Sequence, residues 1–269
     1  MLLLLRSGRL YEGRGRSGKL ISSKIYELSS IFRNVKGVAS MHQIDLAAGL
    51  LWYIVFLLSI TCHEAAHALA AYLGGDSTAY DHGQVSLDPI PHIKREPLGT
   101  VFFPILTYIT SNSMFGWASA PYDPHWADRY PKRAAVMALA GPAANFVLAT
   151  IAAILIHIGL HLGVFADSLH FSFTRIVLPA GPGVWEGAAK LLSIMFSLNI
   201  LLGFFNLIPF PPLDGSSIIN LFLPDKIAEK YQEFCRMPMF SLLGLLVAWK
   251  IFDLIFPPLF SLSLRIANF

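Results

Sequence analysis

Three ionisable residues stand together inside one long apolar stretch: His63, Glu64 and His67, in the pattern His-Glu-x-x-His. On a helix of about 3.6 residues per turn, positions i and i+4 share a face, so two imidazoles can reach one Zn²⁺. Glu64, one residue further round, can touch a water in the open position of such a metal. Zinc brings the pKa of that water toward about 7, and a carboxylate that takes its proton generates a nucleophile. The surroundings sharpen this reading. From Asp45 to Leu73 the stretch has no proline, and it closes on Gly74-Gly75, where a helix would stop. Ionisable side chains are expensive in a membrane-spanning helix and are kept there for function or pairing.

A catalytic zinc needs a third protein ligand. The best candidate is Asp214, in Asn206-Leu-Ile-Pro-Phe-Pro-Pro-Leu-Asp-Gly215, where three prolines and a glycine interrupt a hydrophobic segment around one carboxylate. Broken backbone at membrane depth is tolerated only where it is buried in protein or lines a wet cavity. Two readings stand at this point: Asp214 as a metal ligand, or an ordinary proline-rich turn with Asp214 as a helix cap.

Taken together, His63-Glu64-x-x-His67, Asn206-x-x-Pro209 and Leu213-Asp214-Gly215 resemble the site-2 protease family of intramembrane zinc metalloproteases. Ala140-Gly-Pro-Ala-Ala-Asn145-Phe is similar to the family's A-G-P segment, and Phe115-Gly-Trp-Ala118 to a subgroup feature. The resemblance covers roughly residues 46–236. It implies His63, His67 and Asp214 as zinc ligands and Glu64 as general base. It also implies Asn206 and Asn145 as polar groups near the scissile carbonyl, able to hold an extended substrate or the developing oxyanion. Larger relatives carry a PDZ domain or a CBS pair, for which this sequence leaves no room.

The elements that must position these residues are membrane helices. Of 269 residues, 55% are hydrophobic and 14% charged, against roughly 25% charged in soluble domains; mean hydropathy is +0.57. Apolar stretches long enough to approach the roughly 20 residues of a crossing lie at 47–73, 98–118, 134–163, 187–210 and 238–260. The expected fold is an all-α polytopic membrane bundle with a small β-like loop element, Val85–Leu87 being a possible short strand over the active site. His67 and Asp214 can meet only if one segment fails to cross. The weakest is 98–118, broken by Pro104, Ser111-Asn-Ser113 and Gly116, which is read as a re-entrant or partial span.

With that change, loops 74–97, 119–133 and 211–236 share one side and carry most of the loop cations, whereas 165–186 holds only Arg175. An excess of Lys and Arg marks the cytoplasmic side, so the active site is expected to face the cytoplasm of a bacterial-type plasma membrane. Residues 1–45 read as a basic N-terminal extension, interfacial or a misassigned start, ahead of a membrane-embedded peptidase domain at 46–269. Residues 1–40 carry eight basic residues against Glu12 and Glu27. That charge on the far face opposes the topology and points to Met41 as the start.

Other candidates carry less. His157 and His161 are also i, i+4 but have no carboxylate between them and read as an interfacial pair; His82 and His92 read as loop surface, with a place near the zinc as the alternative for His92. Cys62 points about 100° away from His63 on a helix. No basic–aromatic pattern suits nucleic acid. The function expected is a zinc-dependent endopeptidase cutting transmembrane or membrane-anchored proteins, in regulated proteolysis or membrane-protein turnover. The alternative is a non-catalytic relative that binds metal or holds a partner, against which the intact Glu64 argues, because binding alone does not need it.

Overall fold

The computed structural model describes residues 45–269 apart from Arg236; the basic extension and the expected start at Met41 lie outside the described residues. In chain order the helices are α1 (Leu46–Leu73), α2 (Thr78–Asp81), α3 (Pro89–Arg95), α4 (Phe103–Ser111), α5 (Pro124–Arg129) and α6 (Pro131–His161). An antiparallel hairpin of β1 (Phe165–Ser172) and β2 (Arg175–Pro179) follows. Then come α7 (Val184–Asn206), α8 (Gly215–Ile218), α9 (Asp225–Cys235) and α10 (Pro238–Ile266). Among the described residues four helices, α1, α6, α7 and most of α10, are long and apolar enough to cross a membrane. The chain is a polytopic helical membrane protein.

Helix α1 starts where Asp45 Oδ1 accepts from the Ala48 amide (2.9 Å). It stops at Gly74-Gly75, where Gly75 takes φ +99°, a left-handed conformation that a side chain would strain. The freed Gly74 carbonyl accepts from Trp126 Nε1 and Arg133 Nη1, each at 3.1 Å, which ties the end of α1 to α5 and the start of α6. At the centre of the bundle α1, α6 and α7 pack on one another. Trp52, Val55, Phe56 and Ile60 of α1 meet Ile194 and Leu198 of α7. Toward α6 the contact surfaces are small, with Ala68 and Ala71 on α1 and Ala135 and Ala138 on α6 all buried. Small residues let membrane helices approach closely where no hydrophobic driving force separates lipid from protein.

Segment 98–118 does not cross. A π-helical turn, Leu98–Phe102, leads into α4. The resulting 14 apolar residues reach about 21 Å at 1.5 Å per residue, short of a hydrocarbon core about 30 Å thick. Tyr108 donates to the Asp45 carbonyl (2.8 Å), so α4 descends beside α1 toward its N-terminal end. Asn112 then takes φ +54°, and the chain returns without helix or strand to Asp123, whose amide donates to Asp76 Oδ2 (2.9 Å). On the way back the Trp117 amide donates to the Gly99 carbonyl (3.1 Å). Gly99 and Gly116 allow this crossing, since a Cβ on either would strike backbone of the other limb. The segment is a re-entrant loop.

The β element lies elsewhere than expected. Val85–Leu87 forms a bend, because Asp88 caps α3 by accepting from the Ile90 amide (2.9 Å) with Pro89 at the first helical position. The hairpin instead joins α6 to α7 at the end of the bundle away from His67. Its inner residues Phe165, Ile176 and Val177 pack against Ala152, Ala153 and Ile156 of α6 and Phe196 of α7.

Candidate metal centre

Helix α1 carries His63, Glu64 and His67 into the bundle, all three buried. Asp214 reaches them from the loop after α7. That loop closes tightly, because a Cβ on Gly215 would meet the carbonyls of Leu207 and Ile208. Tyr231 of α9 donates to the Pro209 carbonyl (3.1 Å); burial, together with the Cys235 thiol, pushes the phenol's pKa up, so it stays a donor. Helix α10 supports the loop from the other side, with Ala248 and Phe252 packed on Ile208 and Leu213. Asp214 stands at the N-cap position of α8, yet its side chain makes no cap hydrogen bond. The carboxylate points at the histidines instead, with Oδ2 at 3.2 Å from His63 Nε2 and 3.4 Å from His67 Nε2.

The two Nε2 atoms lie 3.0 Å apart. His67 Nδ1 is 2.8 Å from the Met137 carbonyl, which can only accept, so Nδ1 carries the hydrogen and Nε2 keeps its lone pair. His63 Nδ1 is 2.6 Å from Asn145 Oδ1, which accepts its hydrogen and leaves His63 in the same tautomer. Two imidazole lone pairs and a carboxylate oxygen therefore converge, an arrangement that repels itself without a cation. Bonds of about 2.0–2.1 Å in a tetrahedral zinc site place ligand atoms about 3.3 Å apart, which matches the observed separations. Among the described residues His63, His67 and Asp214 are the group of such side chains placed to hold a metal ion. The donor set fits zinc with a coordination position left open.

Glu64 is buried, and among the described residues it has neither a hydrogen bond nor an ion pair. Asn145 is fully buried and turned to His63. Asn206 ends α7 with Nδ2 donated to the Leu202 carbonyl (3.1 Å), at the entry to the Asp214 loop. His92 is buried rather than on the loop surface: it lies on α3 and donates through Nε2 to the Ser86 carbonyl (3.1 Å). His157 donates to the Ala267 carbonyl (2.6 Å) and stacks on Phe269, whereas His161 is exposed at the end of α6. In the loop after α1, Asp76 is held below the ordinary carboxylate range. Burial alone would raise it, but the Thr78 hydroxyl and amide and the Asp123 amide outweigh that.

Two contributors were not visible in the sequence as parts of the site. One is the Met137 carbonyl. Pro142 inside α6 cannot donate to Ala138 and loosens that turn, and the neighbouring carbonyl is the one that takes His67. The other is Gly141, where a Cβ would lie against Nε2 of both His63 and His67. Asp214→Ala deletes one of three donors and is expected to lower zinc content of purified protein well below one equivalent. Stoichiometric zinc in that variant would move the third ligand elsewhere.

The family model for peptidase family M50 matches residues 51–246. The chain is 32% identical over 225 residues to "Putative zinc metalloprotease YwhC" of Bacillus subtilis, covering 77% of this chain and 92% of that protein. It is 29% identical over 160 residues to "Putative zinc metalloprotease Rip2" of Mycolicibacterium smegmatis, covering 60% of this chain but 52% of that protein. A Rip2 of Mycobacterium tuberculosis is 27% identical over 193 residues, with 71% and 63% covered. No solved structure matches. With the family model spanning most of its length and its histidines and aspartate gathered around one point, the chain belongs to peptidase family M50, the site-2 protease family its motifs resemble.

Proposed function

We propose that this chain is an endopeptidase that cuts transmembrane or membrane-anchored proteins within or beside the bilayer. The observation that carries the reading is the convergence of His63, His67 and Asp214 between membrane-spanning helices, with the buried carboxylate of Glu64 next to His63 in the chain. When bound, zinc supplies Lewis acidity, which brings the proton of a nearby water within reach of a carboxylate. Glu64 takes that proton and returns it to the departing amine. His63, His67 and Asp214 hold the metal, while Met137 and Asn145 hold the imidazoles in the tautomer that can ligate. Asn145 thus serves the reaction through His63. Asn206, at the entry to the metal loop, would steady an extended substrate. The substrate must unwind locally, because a helix keeps its carbonyls in hydrogen bonds.

Orientation follows from charge. Helix ends place residues 74–97, 119–133 and 207–237 at the metal end, where Lys94, Arg95, Arg129, Lys132, Arg133, Lys226 and Lys230 lie, against Arg175 in the hairpin, Lys190 beside Asp45 and Arg265 at the end of α10. That asymmetry favours an active site opening to the cytoplasm. The test is purified protein in bilayers with a set of single-span substrates. A defined fragment should appear, vanish in chelator and return with added zinc. Cleavage that persists in chelator would overturn the zinc reading. Zinc-loaded protein that cuts none of the set, while a family peptidase cuts some, would favour the partner-holding alternative.

A further inference from the structure

His67 and His63 are held in the same tautomer by different means. His67 is fixed in one step by a backbone carbonyl. His63 is fixed by Asn145, an amide that could present either its oxygen or its nitrogen. Turned over, Asn145 would donate to Nδ1, move the imidazole hydrogen to Nε2, and leave His63 unable to ligate a metal. Something must set which way Asn145 faces.

Asn199 of α7 is in place to do it. It is fully buried, and its Nδ2 lies 2.8 Å from the Met195 carbonyl and 2.9 Å from Ser59 Oγ. The carbonyl can only accept. Ser59 has committed its hydrogen to the Val55 carbonyl (2.7 Å), so its oxygen also accepts here. Both neighbours therefore require the amino group of Asn199, which turns Oδ1 toward Asn145 Nδ2 (2.8 Å). The second Asn145 hydrogen faces the Ser59 carbonyl at 3.5 Å. Each bond now has one allowed direction: His63 Nδ1–H to Asn145 Oδ1, Asn145 Nδ2–H to Asn199 Oδ1, Asn199 Nδ2–H to Ser59 Oγ, and Ser59 Oγ–H to Val55. We infer that Asn199 is a positioning residue for zinc, acting through Asn145 to keep the Nε2 lone pair of His63 facing the metal.

The relay spans α1, α6 and α7, so it also ties the orientation of one ligand to the packing of the three central helices. In a membrane interior such a chain has no water to borrow, and every unpaired polar group is costly. Outer partners of metal-bound histidines typically matter by about 10–100-fold in affinity. The inference rests on the zinc reading of His63, and the experiment separates the two.

Zinc affinity is measured by chelator competition on full-length purified protein, wild type and variants. Asn199→Leu removes the acceptor for Asn145 and should weaken zinc by about 10–100-fold. Asn199→Asp, protonated in this setting, still offers one acceptor and one donor, and should stay within about threefold of wild type. Asn199→Ala lacks the same acceptor without the bulk of leucine and should follow Asn199→Leu if that variant does not insert. Ser193→Ala, equally buried on the same helix but bonded to the Ile176 amide, should leave affinity unchanged. Equal affinity in Asn199→Leu and wild type, or equal losses in Asn199→Asp and Asn199→Leu, would overturn the inference. Wild-type protein that binds no zinc would instead overturn the metal centre itself.

Discussion

Glu64→Gln is expected to leave zinc bound and to remove cleavage, by about 10²–10⁴-fold or more, the range a positioned general base contributes. Glutamine matches glutamate in shape but cannot take a proton from water. The substitution keeps the size of the side chain and removes only its charge, which faces His67. His63, His67 and Asp214 are untouched, so metal content should stay near one equivalent. Metal analysis beside a fragment assay reads both halves. Cleavage near the wild-type rate would remove Glu64 from its role, and loss of zinc would make it a ligand rather than a base.

The second large effect needs only one methyl group. Gly141→Ala would set a Cβ against Nε2 of His67 and at 2.6 Å from Nε2 of His63, in the space where the two lone pairs converge. Zinc content and cleavage should both be lost. Helix propensity pushes the other way, since alanine stabilises a helix interior by about 0.8–1.0 kcal/mol relative to glycine. A variant that inserts and melts like the wild type but holds no zinc would therefore locate the defect at the metal, not in the fold. Full zinc in this variant would mean that α6 can withdraw from α1, and that the close packing at Gly141 is not needed.

What could be read in advance was what local pattern dictates. A proline-free apolar run closed by two glycines fixes α1, and the i, i+4 spacing puts His63 and His67 on one face. The prolines around Asp214 mark a break that pure hydrophobic packing would not tolerate. Pro104, the polar Ser111–Ser113 stretch and Gly116 mark the loop that enters and returns. Hidden features depended on distant partners. The strands at 165–179 alternate loosely, because only Phe165, Ser168, Ile176 and Val177 are buried. Val85–Leu87 has strand-like residues but is claimed by the Asp88 cap and Pro89. His92 lies in a polar loop by sequence, yet the fold buries it. Nothing near Gly141 tells that its missing side chain faces two imidazoles, since that is a property of how α6 crosses α1.

The support of the Asp214 loop has a consequence for how the protein is made. His63 and His67 are synthesised with the first helix, but Asp214 follows only after α7, and α10 then braces the loop. There Gly244 brings the helix backbone against the Pro211 carbonyl, leaving no room for a side chain. A chain still leaving the ribosome carries two histidines and no centre. The three-donor centre is therefore completed only when the last third of the chain has been made and α10 has packed against the loop.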